Sequence, residues 1–311
     1  MKGVTFSVVV PTYRTSYDSL SKAIESVLSQ TYSASEIILV DDNNDDDYRR
    51  ASRKAEEVYK NKLKVLYNDK NSGANYSRNR GVDVAIGEFI AFLDSDDEWS
   101  KAYLSIVSEI IDEKKAQFIT SNYQVVHREG VLPPEFDEKK FVSGDISKKE
   151  LYQDLIGPTS TVVVSKKLIV AAGLFDVELP ARQDYDMWLR IVKLAPVFYN
   201  YTPCVKVFRI GNNSISSSYK RNVEGTKIVL NKILTSNKLS DLEKKMVSAA
   251  HYKHMALSCI LCDAYEESRK YARQSLKCHF TKDVFVWFLL SFCPKLFSAL
   301  RNFRKKILYK L

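Results

Sequence analysis

The chain has 311 residues, and 47 Lys and Arg against 38 Asp and Glu leave a net charge of +9. Its length allows one large core or two smaller ones, and a globular composition without low-complexity tracts excludes a disordered or fibrous chain. Excess positive charge points to anionic partners such as phosphates or acidic lipid. Nucleic acid is set aside, because no recognised nucleic-acid motif accompanies the charge.

Residues 1–5 run straight into a strand-like segment without the basic-then-apolar layout of a signal peptide, so a cytoplasmic protein is expected. Residues 7–10 form the first predicted strand, ending at Pro11-Thr12-Tyr13. A helix follows over 20–30, with Ala23, Ile24, Val27 and Leu28 on one face. Residues 36–40 are the next strand, ending in Asp41-Asp42-Asn43. A charged helix is expected over 47–60, a third strand over 63–67, a helix over 75–84 and a fourth strand over 89–93. Such alternation implies a parallel sheet covered on both faces, with the loops after its strands converging along one edge.

Ser100 is an expected N-cap for a helix reaching about residue 114. Residues 118–126 are strand-like, and 128–149, with Pro133-Pro134, read as a polar excursion or flexible loop. Gly157-Pro158-Thr159-Ser160-Thr161 leads into the strand 162–164. Gly173-Leu-Phe-Asp176 follows a short helix, Gln183-Asp184 opens another, and 197–209 holds the last strands. From Tyr219 onward the pattern is helical. The expected domains are 1–215, with a nucleotide half to 114 and an acceptor half beyond it, and a helical region over 216–311. The five cysteines form no secreted-type framework. Cys259 and Cys262 fall on an apparent helix with no second pair or His cluster, and read as buried thiols.

The most informative stretch is Phe89-Ile-Ala-Phe-Leu-Asp94-Ser-Asp96-Asp97. An apolar strand stops at three carboxylates, at the end of a sheet strand where open α/β folds place ligands. Clustered acids are tolerated best when a hard cation such as Mg²⁺ or Mn²⁺ neutralises them, and such a cation keeps positions free for substrate phosphates. In Asn71-Ser-Gly73, the glycine lets the backbone turn into a helix whose first amides can face an anion. Arg78 and Arg80 on that helix offer further donors, although Arg80 equally suits a solvated surface. Tyr13 either stacks on a nucleobase or packs in the core. Asp42 either accepts from a base imide or caps the helix after it. Asp184, in a first helical turn, either is an ionised carboxylate that accepts a proton or only caps the helix; Asp186 is the second choice.

Together, Val8-Val-Val-Pro11-Thr12-Tyr13, Glu36-Ile-Ile-Leu-Val-Asp41-Asp42-Asn43, Asn71-Ser-Gly73, Ser77-Arg78-Asn79-Arg80-Gly81, Phe89 to Asp97 and Gln183-Asp184-Tyr-Asp-Met-Trp188 closely resemble the inverting family 2 glycosyltransferases of the GT-A fold. The resemblance covers about residues 4–210. It implies a Rossmann-like α/β domain, a mostly parallel sheet flanked by helices, here with a helical C-terminal extension. It implies that Pro11, Thr12, Tyr13, Asp41, Asp42, Gly73, Arg78, Asp94 and Ser95 hold a nucleotide sugar, usually of uridine. Asp96, with Asp94, would hold Mn²⁺ or Mg²⁺ on the diphosphate. Asp184 would take the acceptor's proton in a single in-line displacement.

Two departures stand out. Many relatives carry a His after the last strand, where this chain has Phe208-Arg209-Ile210-Gly211-Asn212, so that ligand is missing. The Gln-x-x-Arg-Trp motif of processive synthases is absent too, which favours one sugar per encounter. The implied role is transfer to a glycan or polyprenyl-linked acceptor in cell-surface polysaccharide synthesis. The alternatives are a non-catalytic nucleotide-sugar-binding scaffold and a sugar nucleotidyltransferase. Residues 284–310 combine apolar and aromatic residues with a basic run. They predict a helix lying on an anionic membrane surface, peripheral on the inner face, or one packed on the domain or in a homodimer.

Overall fold

A computed structural model describes residues 3–209 and 218–300. The chain divides into two compact units. Unit 1 comprises 1–147, 155–177 and 187–209; unit 2 comprises 148–154, 178–186 and 210–311.

Unit 1 is built on one sheet. Its strands are β1 (Phe6–Thr12), β2 (Glu36–Asp41), β3 (Lys64–Tyr67), β4 (Phe89–Phe92), β5 (Glu98–Trp99), β6 (Phe118–His127), β7 (Gly130–Val131), β8 (Val162–Ser165) and β9 (Phe198–Phe208). They lie in the order β3-β2-β1-β4-β8-β6-β9-β5, with β7 on β6. The first four are parallel, as the alternation predicts. β1 is buried along its whole length, because both of its faces are covered. Phe6, Val8 and Val10 belong to one apolar cluster with Leu20, Ala23, Ile24 and Val27 of α1 (Tyr17–Leu28). Val9 belongs to the other, with Val82 of α3 (Ala74–Val84) and Met187 and Trp188 of α7 (Gln183–Ile191). The division follows the two-residue period of the strand. A Cβ at Gly81 would collide with the Val9 side chain, so this glycine lets α3 lie directly on the sheet.

Past β4 the sheet departs from simple alternation. β8 enters between β4 and β6, antiparallel to both. The segment read as a polar excursion is exposed over most of its length, yet it is anchored to unit 1. β6 and β7 make a hairpin, and Phe136, Phe141 and Ile146 are buried in the second cluster. The Asn122 side chain pins this crossing by accepting from Phe136 N and donating to Phe136 O. Apolar residues so irregularly spaced carry no periodic signal. Unit 1 also contains α2 (Asp46–Tyr59), α4 (Tyr103–Lys114) and α6 (Lys166–Ala171); α5 is the single turn Ser147–Glu150.

Unit 2 is helical over its described C-terminal part: α8 (Tyr219–Ser236), α9 (Asp241–Leu261), α10 (Tyr265–Cys278) and α11 (Lys282–Leu290). Ser240 and Glu243 form a reciprocal capping box at the start of α9. Met255, Ala256 and Cys259 of α9 pack with Tyr271 and Ala272 of α10 and Val284 of α11. Cys259 is buried as expected, but Cys262 and Cys293 are exposed; Cys262 follows the last residue of α9 and lies off its packed face. No helix among the described residues is long and apolar enough to cross a membrane.

Candidate active site

In register, Thr12 of β1 pairs with Asp41 of β2, and Val9 of β1 with Phe92 of β4. The loops after β1, β2 and β4 therefore leave the sheet side by side. Pro11 and Thr12 are the last residues of β1 and are buried. Tyr13 is 44 % exposed, so it does not pack in the core. Arg14 adopts a left-handed φ of 52°, donates its N–H to Asn43 Oδ1 at 2.8 Å, and lies over the Tyr13 and Tyr48 rings.

The two acids after β2 have different partners. Asp41 is fully buried; its Oδ1 accepts from the backbone and side chain of Asn43, while its Oδ2 has no partner. Asp42 accepts from Asn68 Nδ2, Ser72 N and Gly73 N at 2.7–2.8 Å. It does not cap the following helix, a role that Asp45 fills. Gly73 has φ 87°, a conformation open mainly to glycine. The anion that the Ser72 and Gly73 amides meet is thus the chain's own Asp42 carboxylate. Arg80 is structural, donating to Tyr67 O and Asn68 Oδ1.

The loop after β4 carries the acids. Arg78 is 5 % exposed, and its Nη2 donates to Asp94 Oδ1 at 2.7 Å. Its Nε and Nη1 find no partner. A buried guanidinium with donors left over is costly unless something supplies acceptors. Ser95 is buried and shares a 2.7 Å hydrogen bond with Thr15, which ties the β1 loop to the acid loop. Asp96 is exposed, yet dehydration of its carboxyl, and then the Asp94 charge, hold its pKa above the ordinary value. Asp97 is buried; it accepts from Ser160 Oγ at 2.5 Å and Phe208 N at 3.0 Å. Burial first, then the Asp94 and Asp96 charges, push its pKa well up. Asp97 therefore anchors the loop, while Asp94 and Asp96 stay accessible.

Ser160 also accepts from Asp94 N at 3.0 Å. In the sequence, its Pro-Thr-Ser-Thr turn carries no pattern that points to this role. Asn68 and Thr15 were likewise missed; a polar residue whose partner lies far along the chain leaves no local pattern.

In unit 2, Asp184 stands in the first turn of α7, as predicted. Its Oδ1 accepts from Tyr185 N at 2.8 Å. Asp186 is buried and paired with Lys232 at 2.9 Å, which removes it as a second choice for the proton acceptor. The expected missing His ligand falls at residues 210–212, outside the described residues.

Among the described residues, no group of three or more His, Cys, Asp or Glu could by itself hold a metal ion. Asp94 and Asp96 are hard oxygen donors, and dehydration, then their mutual repulsion, raises the Asp96 pKa. Two such carboxylates fit a divalent cation that draws its remaining ligands from a substrate diphosphate and water.

A mostly parallel sheet with an acidic loop and a half-satisfied buried arginine at one edge is the architecture of an α/β protein whose edge suits an anionic ligand. Residues 7–165 match Glycosyl transferase family 2, and the chain belongs to that family. The chain is 30% identical over 216 residues to the UDP-Glc:alpha-D-GlcNAc-diphosphoundecaprenol beta-1,3-glucosyltransferase WfgD of Escherichia coli, covering 68% of this chain and 79% of the relative. It is 28% identical over 298 residues to the GalNAc(5)-diNAcBac-PP-undecaprenol beta-1,3-glucosyltransferase of Campylobacter jejuni, covering 93% of each. The crystal structure of S. aureus TarS 1-349 with UDP-GlcNAc superposes with a TM-score of 0.65 at 19% identity, covering 96% of this chain and 92% of that one. The fold is GT-A, and the chain is a glycosyltransferase.

Proposed function

We propose that the chain moves one sugar from a UDP-sugar to a hydroxyl of a polyprenyl-diphosphate-linked glycan, with inversion at the anomeric carbon. The observation that carries the donor side is Arg78, buried against Asp94 with two N–H groups unused. Diphosphate oxygens are the acceptors those groups lack. Asp96 and Asp94 would hold Mn²⁺ or Mg²⁺, whose charge offsets that of the leaving diphosphate. Pro11, Thr12 and Tyr13 line the nucleoside side, with the exposed Tyr13 ring available for stacking. Asp41 has the free carboxylate oxygen of the acid pair. Asp42 shapes the loop that Gly73 closes, and Ser95 fixes the acid loop through Thr15.

Asp184 takes the proton of the acceptor hydroxyl. That oxygen forms a bond to the anomeric carbon as the bond to the nucleoside diphosphate breaks on the opposite side, which inverts the centre. The diphosphoundecaprenol acceptors in the relatives' names support a lipid-linked acceptor. They also support a place on the inner face of the cell membrane. Phe285, Val286 and Leu289 of α11, then Phe292 and Leu296, are exposed, and the basic run 301–310 beyond them lies outside the described residues. We assign this apolar surface to an anionic bilayer; a homodimer through it is the outcome that would contradict the assignment. The domain division at residue 215 is part of the same reading.

The test is a transfer assay with UDP-sugars, Mn²⁺ and a polyprenyl-diphosphate glycan. Stereospecific transfer that depends on Asp184 is expected. UDP binding without turnover on any acceptor or water would point to a scaffold subunit instead. Flotation with anionic vesicles, lost on deleting 301–311, tests the membrane assignment.

A further inference from the structure

Unit 2 contains a cavity of about 350 Å³, a volume typical of small-ligand sites. It is lined by residues of the segments 152–154 and 182–185 and of the helical region 246–281. No role assigned above uses it. Its chemistry is specific. Tyr152, Tyr185 and His254 supply flat faces, Gln153 a planar amide, and Met246 and Leu257 an apolar wall.

Its charges are compensated. Arg182 is ion-paired with Asp154 at 2.8 Å, and Lys253 is ion-paired with Asp283. Burial, helped by the Arg182 charge, pushes the pKa of His251 down to about 4 and that of His254 to about 3, so both rings are neutral at pH 7. An anion finds no unspent positive charge here.

Its unused hydrogen-bonding groups have opposite polarity. His251 is 4 % exposed, and its Nδ1 lies 2.9 Å from Val247 O. A carbonyl only accepts, so Nδ1 carries the proton and Nε2 is a bare acceptor. That Nε2 has no partner. The buried Nε of Arg182, a donor, has none either. A phosphate answers the arginine but repels the imidazole lone pair. A sugar hydroxyl donates and accepts, and answers both. Pyranose rings also stack their C–H faces on aromatic side chains such as Tyr152.

Arg182 holds a left-handed φ of 62°, rare for a long side chain. Its guanidinium lies over the Tyr185 ring at 4.2 Å. Arg182 and Tyr185 bracket Asp184 in the chain, so the cavity wall and the proposed base share one turn.

We infer that this cavity is a neutral-sugar subsite that holds an uncharged pyranose of the acceptor glycan and excludes its phosphate groups. The word acceptor rests on the transferase reading; the sugar site itself does not.

The test uses the full chain and a panel of methyl glycosides of glucose, galactose, N-acetylglucosamine and N-acetylgalactosamine, followed by saturation-transfer NMR. Specific saturation of at least one glycoside is expected. Ala250→Trp fills the cavity and should abolish it. Gln153→Ala, at an exposed position and safe for folding, should weaken binding about threefold or more, as loss of one hydrogen bond does. Circular dichroism verifies that both variants are folded. A silent panel, a signal unchanged in folded Ala250→Trp, or displacement of the glycoside by inorganic diphosphate would each overturn the inference. UDP titration on the same samples separates the two claims: glycoside binding without UDP binding refutes the UDP-sugar donor reading alone, and the reverse refutes the sugar site alone.

Discussion

Replacing Arg78 by Met tests whether the donor site is built in advance of its ligand. Arg78 makes one ion pair, to an Asp94 side chain that is 34 % exposed and rehydrates readily. Against that stand two buried N–H groups without acceptors, each costing the fold about 1–3 kcal/mol. Methionine fills the same channel beneath Phe175 and needs no acceptors. Loss of the pair and relief of the orphans nearly cancel, so the change in unfolding free energy is expected within about 1 kcal/mol. Diphosphate binding behaves otherwise. Two charge-assisted hydrogen bonds at about 1.5 kcal/mol or more each amount to about 3 kcal/mol, or roughly 100-fold in Kd. Isothermal titration with UDP, with and without Mn²⁺, reads the affinity, and urea unfolding reads the stability. A variant that loses several kcal/mol of stability while binding UDP normally would show that Arg78 is a fold residue and refute the reasoning.

Four further outcomes are expected. Asp184→Asn should abolish transfer and leave UDP affinity within about twofold, checked by single-turnover kinetics and titration. Asp42→Ala strips the acceptor from Asn68, Ser72 and Gly73 and should destabilise by about 3–5 kcal/mol, seen in the urea midpoint. The pKa of His251 is depressed from 6.5 to about 4. Between those values the unfolded chain binds a proton that the native imidazole refuses, so stability falls as pH drops through that window, by roughly 3 kcal/mol in all. His251→Phe should remove this share and leave that of His254, whose pKa is held down to about 3, so the profile becomes shallower there. Finally, Gly81→Val should shift α3 off β1 and cost several °C in Tm by differential scanning calorimetry, because its side chain meets Val9.

The parallel half of the fold was legible because each strand is a short apolar run that stops at polar residues, and α1 carries an apolar stripe, although Leu28, expected on it, is 38 % exposed. Tyr13, Asp42, Asp94 and Asp96 were legible as loop residues for the same reason. What the Asp42 carboxylate does was not. Its partners Asn68, Ser72 and Gly73 follow it by 26 to 31 residues, and only the folded chain brings them together. The anchoring role of Asp97 was hidden in the same way, since Ser160 and Phe208 lie far along the chain. The core residues Phe136 and Phe141 escaped notice amid prolines and charges, where no period of two or 3.6 exists.

The hydroxyl of Ser160 has a consequence for engineering. The loop that carries Asp94 and Asp96 is fastened from the turn before β8, more than 60 residues further along the chain, through Asp97 and the amide of Asp94. Cutting the gene near codon 114 to graft one enzyme's donor module onto another's acceptor module would separate the clasp from what it fastens. Chimaeras with altered sugar choice should carry the turn at 157–161 and β8 along with the donor module.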